Sequence, residues 1–247
     1  MLKSILKNKN VFIFDLDGTL IDSLNIWSTV DAMIIKEMTG ASVDLCHLSL
    51  EREQFLAECK SKSPYQDYVV FLIERYQLDC NKDDLIEYRK GVTFKMLESL
   101  KLKPFAYELL TLLKSMGKTL CIATTGPKSS VDRILGKIEG TKIIGSLFDI
   151  VIMQNDVINL KPAPDAHFKI KDMLGMADAD AIVIEDSIVG INAAKRANLD
   201  YIVVREDYHS NQDEIRNSAP IYVESLEEIY NSMLEIANNK PKLRELS

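Results

Sequence analysis

The sequence predicts an α/β protein whose parallel-sheet core, covered by helices, is interrupted after its first strand by an all-helical insert. Short apolar runs rich in β-formers recur near 11–14, 119–123, 148–153, 181–184 and 201–204. From Phe105 onward they alternate with segments of helical period, the pattern of right-handed crossovers in a parallel sheet. Between the first and second runs, residues 25–100 show helical period only.

The first run, Val11-Phe12-Ile13-Phe14, breaks at Asp-Leu-Asp-Gly-Thr into a glycine-containing turn. In the insert, apolar residues fall at helical spacing in three groups. These are Trp27, Val30, Ile34 and Met38; Tyr65, Tyr68, Val69, Leu72 and Tyr76; and Leu85, Tyr88, Val92, Met96 and Leu100. Ser63-Pro64-Tyr65-Gln66 reads as a capping box with proline at the first helical position, and Asn81 with Asp84 as a second helix start. Beyond Phe105, helices are expected up to Met116, over 130–138, after Pro164, and over 188–197 ending at Asn198. The polar tail from Asn238 should fray.

The chain has 247 residues, 47% hydrophobic and 27% charged, with 30 basic against 37 acidic residues and a net charge of -7. No basic cluster is available for a nucleic-acid backbone or an anionic lipid surface, so neither is an expected partner. The longest aliphatic or aromatic run, Val69 to Ile73, falls far short of the roughly 20 residues that span a bilayer. With no apolar leader after Met1, the expected location is cytoplasmic. Cysteines 46, 59, 80 and 121 match no metal or redox spacing and are expected as small buried hydrophobes.

In an open parallel sheet, ligands sit outside the carboxyl ends of the strands. The residues just past the runs form one set there: Asp15 and Asp17; Thr124, Thr125 and Gly126; Lys161; and Glu185 with Asp186. Four carboxylates on one rim repel by about 4 kcal/mol per close pair at 4 Å and intermediate dielectric. One divalent ion with Lys161 brings the set to a single negative charge, and oxygen-only ligands favour Mg²⁺. A phosphoryl substrate then gives each residue a task. Asp15 is the nucleophile forming an aspartyl-phosphate, and Asp17 the acid and base. Thr124, Thr125, Gly126 and Lys161 bind the phosphoryl oxygens. Asp15, Asp17 and Asp186 hold the metal, with Glu185 ligating it or supporting its shell. Singly, each residue has an ordinary structural reading as a turn, a cap or a solvated charge, and only the joint arrangement overrides it.

These residues resemble the haloacid dehalogenase-like hydrolase superfamily, in its beta-phosphoglucomutase-like branch. The matching segments are Asp15-Leu16-Asp17-Gly18-Thr19-Leu20-Ile21-Asp22-Ser23, Thr124, Lys161-Pro162-Ala163-Pro164-Asp165, and Glu185-Asp186-Ser187 leading to Gly190 and Ala193-Ala194. The resemblance implies a Rossmann-like three-layer core over residues 1–22 and 104–247 and an all-helical cap over 23–103. It also implies Mg²⁺ and hydrolysis of a small phosphorylated metabolite, such as a sugar phosphate, by a monomer or homodimer. The cap would close during transfer about hinges near Asp22-Ser23 and Lys103-Pro104. Three departures matter. Asn198 replaces a helix-ending glycine, Trp27 stands where such mutases carry histidine, and the cap holds no Lys-Gly with an arginine downstream of it. The last two argue against a phosphomutase, the first rival. A dehalogenase would not need Asp17, and a non-catalytic phosphoacceptor resembling a receiver domain would be shorter. The three histidines, His47, His167 and His209, are expected to be ordinary surface or satisfied residues.

Overall fold

The computed structural model describes residues 1–239 except 60, 62, 137, 140, 141 and 210; the end of the polar tail, 240–247, lies outside the described residues. The chain forms two compact units: Met1–Asp22 with Lys101–Ser247, and Ser23–Leu100.

The first unit begins with a short helix, α1 (Leu2–Leu6), and β1 (Val11–Phe14), whose four side chains are all buried. After the helical unit, described below, come α6 (Ala106–Ser115), β2 (Thr119–Ala123) and α7 (Lys128–Leu135). A small antiparallel ribbon, β3 (Ile138–Glu139) and β4 (Lys142–Ile143), precedes β5 (Ile150–Ile152). The chain continues through α8 (Asp165–Leu174), β6 (Ala181–Glu185), α9 (Ile188–Arg196) and β7 (Asp200–Val204). It closes with α10 (Gln212–Ser218), β8 (Tyr222–Val223) and α11 (Leu226–Asn238). Asn198 takes φ 58° just after α9, the left-handed conformation asparagine tolerates, so the helix stops without glycine.

The strands form one six-stranded sheet in the order β5-β2-β1-β6-β7-β8, with every pair parallel. Alternation of side chains divides its residues between two faces. Val11, Ile13, Cys121, Ala123, Ala181, Val183 and Val203 pack with Ala166 and Ile170 of α8, Ile191 and Ala194 of α9, and Ile215 of α10. Phe12, Phe14, Leu120, Ile122, Ile182 and Ile184 point to the opposite face. On that side α6 packs against β2 and α11, and α11 against α1. Each fully buried aliphatic or aromatic side chain contributes roughly 1.5–3 kcal/mol. The core is therefore a three-layer, Rossmann-like α/β fold.

The chain leaves β1 for β2 and β5 on one side, then returns to β6 on the other. The carboxyl ends of β1 and β6 thus flank the switch point, where a doubly wound sheet leaves its crevice.

The helical unit contains α2 (Leu24–Thr39), α3 (Leu45–Glu58), α4 (Pro64–Tyr76) and α5 (Lys82–Ser99). Within it α2 packs on α3 and α5, and α4 on α3 and α5. The periodicity missed α3, although Asp44 accepts from His47 N and so caps its start. Asn81 caps α5 as expected, whereas the Ser63 side chain makes no cap bond at α4. Residues 101–103 belong with the core unit. Lys101 O accepts from Asp22 N (3.4 Å), Leu102 bridges Ile21, and Lys103 N donates to Leu20 O (2.8 Å). All four cysteines are free, and only Cys121 is buried; Cys46 is exposed.

His167 on α8 is fully buried, and neither ring nitrogen has a hydrogen-bond partner among the described residues. Burial, with Lys161 nearby, pushes its pKa down to about 3. The unfolded chain therefore takes up a proton near pH 6.5 that the folded chain refuses, and stability falls as pH drops from there toward 3. His167→Phe should remove this slope. In urea titrations the variant should gain about 0.7 kcal/mol relative to the parent between pH 7 and 6 and about 1.2 kcal/mol between pH 6 and 5, as the solution is acidified.

Candidate active site

Asp15 follows β1 and Asp186 follows β6, neighbouring strands in parallel register with Phe14 opposite Ile184. Asp15 N continues the ladder by donating to Ile184 O at 3.0 Å. The carboxylates of Asp15, Glu185 and Asp186 consequently meet, with one oxygen from each lying within 4.8 Å of the others. Lys161, from the loop after β5, enters this cluster. Its Nζ donates to Asp15 Oδ1 at 2.6 Å and to Glu185 Oε1 at 2.5 Å, with only 4% of its side chain exposed.

Glu185 has no exposed surface and is saturated with donors. Besides Lys161, its Oε2 accepts from Asp186 N (3.0 Å), Ser187 N (3.1 Å) and Ser187 Oγ (3.0 Å). The tight start of α9 makes room for this carboxylate, because a Cβ at Gly190 would overlap it. Ser187 Oγ also caps the helix by accepting from Gly190 N at 3.2 Å.

Asp186 is held at both oxygens. The buried Thr19 Oγ1 donates to Oδ1 at 2.8 Å, and His209 Nε2 lies 2.8 Å from Oδ2. Neither partner was assigned a role by sequence. Thr19 stands inside the Asp-Leu-Asp-Gly-Thr segment, but His209 lies beyond β7 in a stretch that no motif marks.

Asp17 is not one of the three clustered carboxylates; it faces the end of β2. Its Oδ2 is 3.6 Å from where a Cβ on Gly126 would stand. Thr124 is buried and its Oγ1 accepts from Gly126 N at 3.0 Å, so that amide is engaged locally; Thr125 is half-buried beside it. The structure thus gathers Asp15, Lys161, Glu185 and Asp186 tightly, and sets Asp17 beside Thr124 and Gly126.

Three carboxylates against one ammonium leave two negative charges in a buried place. Burial, reinforced by Glu185 and Asp186, therefore holds the Asp15 carboxyl well above its usual range although Lys161 opposes this. Burial alone would lower the Lys161 pKa, but Asp15 and Glu185 more than offset it and raise it. The donor set is oxygen only and carries the excess negative charge that a hard divalent cation would neutralise. The residues present fit such an ion.

A sequence model of the family described as "Haloacid dehalogenase-like hydrolase" matches residues 12–204, most of the chain. The chain belongs to this family. Among its relatives, the bifunctional riboflavin kinase/FMN phosphatase of Arabidopsis thaliana is 26% identical over 243 residues, 97% of this chain and 58% of that protein. The protein CbbY of Rhodobacter capsulatus is 30% identical over 112 residues, 45% of this chain and 49% of that protein. The chain thus spans about half the length of these curated relatives. The crystal structure of CbbY from Rhodobacter sphaeroides in complex with phosphate superposes with a TM-score of 0.70 at 21% identity, covering 90% of this chain and 96% of that one. At that identity the likeness shows the shared fold.

In the helical unit, taken by itself, Trp27 is half-buried and flanked by the guanidinium carbons of Arg52 and Arg89, 5.6 Å and 5.9 Å from its ring centroid. Asp31, fully buried, accepts from Arg89 Nε at 2.7 Å and from Tyr68 Oη at 3.1 Å.

Gly190→Ala should displace Glu185 and cost about 1–3 kcal/mol by overpacking. Gly91→Ala on α5, where a Cβ meets nothing within 4 Å, should instead stabilise by roughly 0.5–1 kcal/mol. Urea denaturation of the two variants checks the opposite signs.

Proposed function

We propose that the chain is a Mg²⁺-dependent phosphomonoesterase that acts on a small phosphorylated metabolite, such as a sugar phosphate, through an aspartyl-phosphate on Asp15. The observation that carries this reading is the contact of Lys161 with both Asp15 and Glu185 beside Asp186, at the carboxyl ends of β1 and β6. A nucleophilic carboxylate, a cationic partner and further carboxylates in one buried cluster suit phosphoryl transfer, where catalysis is mostly positioning and charge stabilisation. The FMN phosphatase named among the relatives, and the phosphate bound to the CbbY structure, favour the same substrate chemistry.

In this reading a carboxylate oxygen of Asp15 attacks phosphorus, the ester oxygen leaves, and water later hydrolyses the acyl-phosphate to regenerate Asp15. Asp17 gives a proton to the leaving oxygen and takes one from the attacking water. Lys161 fixes Asp15 and meets the negative charge of the phosphoryl oxygens, and Glu185 fixes Lys161. Thr124 and the Thr125 amide bind those oxygens from the β2 side, and Gly126, whose amide donates to Thr124 Oγ1, shapes that corner. Asp15, Asp17 and Asp186 would hold Mg²⁺, with Glu185 supporting that shell; when bound, the ion supplies Lewis-acid stabilisation of phosphoryl charge. The helical unit is, in this reading, the cap domain. The absence of histidine at Trp27 weighs against a phosphomutase.

Release of phosphate from p-nitrophenyl phosphate tests the proposal. Asp15→Asn should lower kcat by about three orders of magnitude or more, and EDTA should abolish turnover until Mg²⁺ is restored. Activity that survives both treatments would refute the mechanism. A panel of phosphorylated metabolites, read by kcat/KM, then identifies the substrate class. In differential scanning fluorimetry, Mg²⁺ should raise the Tm of the parent and have little effect on Asp186→Asn.

A further inference from the structure

We propose that His209 is a positioning residue that orients the Asp186 carboxylate toward a bound divalent ion. The inference rests on the reading of Asp186 as a metal ligand. A carboxylate only accepts hydrogen bonds, so His209 Nε2, 2.8 Å from Asp186 Oδ2, carries the hydrogen in this contact. Thr19 Oγ1 donates to the other oxygen at 2.8 Å. The terminal torsion of an aspartate is broad, and one donor on each oxygen narrows it. Each oxygen keeps a further lone pair for a cation.

The contact is built into the fold. His209 and Asp186 have 12% and 2% of their side chains exposed. His209 lies between β7 and α10, in a segment tied down by Glu206, which is 5% exposed. Glu206 Oε1 accepts from Tyr208 N at 3.2 Å, its carbonyl accepts from Gln212 Nε2, and its carboxylate pairs with Lys103. The imidazole is thus delivered to Asp186 by a segment anchored outside the acidic cluster. Groups that hydrogen-bond a ligating carboxylate are commonly worth 10–100-fold in metal affinity, by fixing its direction.

The test is Mg²⁺ affinity of the full chain by isothermal titration calorimetry, with Mn²⁺ binding by electron paramagnetic resonance as a second measure. Unfolding midpoints in EDTA confirm that each variant is folded. His209→Phe keeps the ring and removes the donor, and it should weaken binding by about 10–100-fold. His209→Gln, with an amide N–H available for the same oxygen, should recover most of that loss, a rescue that a purely packing role would not give. Parent-like affinity in His209→Phe, alongside lost affinity in Asp186→Asn, would overturn the inference and leave the metal reading intact. Parent-like affinity in Asp186→Asn would instead overturn the metal reading, and the inference with it. Should His209→Phe fail to fold, His209→Ala decides by the same comparison.

Discussion

The ammonium of Lys161 sits almost wholly buried between Asp15 and Glu185, and the rim of the sheet is organised around that three-way contact. Without it, adjoining carboxylates would face one another in a place where water screens poorly, and each close pair would cost several kcal/mol. The pairing also fixes the loop after β5. That loop is further held where Arg196 donates to Pro162 O at 2.8 Å and where Asn159 binds Asp165. A buried ion pair of this kind is weak evidence for stability, because desolvation offsets much of its attraction, but it enforces one arrangement. Here that arrangement brings residues 15, 161 and 185 together.

Strand order does the rest. Because β1 lies between β2 and β6, the acidic residues past β1 have two neighbours whose ends carry complementary chemistry: Thr124 and Gly126 on one side, Glu185 and Asp186 on the other. The buried, parallel register leaves no freedom to slide, since a shift of one residue would turn Ile13 or Phe14 to the wrong face. Core packing and site geometry are therefore one constraint, and Gly190 shows it in miniature. The residue that lets α9 start closely on β6 is also the one that leaves space for the Glu185 carboxylate.

Much of this was legible in the residues. The β-forming runs and their alternation with helical segments identify β1, β2, β5, β6 and β7 to within a few residues, because these runs are mostly buried and carry no competing pattern, whereas the two-residue strand β8 is too short to show one. The conjunction of Asp15, Lys161 and Glu185-Asp186 was readable for a related reason: strand ends are where an open sheet must leave polar groups unpaired. Helix α3 escaped notice because its apolar residues form no clean stripe. In α5 the buried side is set by Leu85, Thr93 and Leu97, so reading Val92 and Met96 as the apolar row misplaced its phase. Residue types carry no hydrogen-bond partners, so Thr19 and His209 could not be assigned to Asp186. His167 escaped for the opposite reason, as an imidazole filling a place that an apolar side chain would suit.

The chain departs from the core after Asp22 and rejoins it at Lys101, and these two segments already lie against each other through the Ile21–Leu102 bridge. Closing the long excursion between them costs the sheet little conformational entropy, because the core pins both ends. The four-helix excursion can therefore diverge, lengthen or be exchanged as a cassette while the acidic edge of the sheet stays fixed. A lineage built on such a core can vary its helical unit without disturbing the sheet edge that gathers residues 15, 161, 185 and 186.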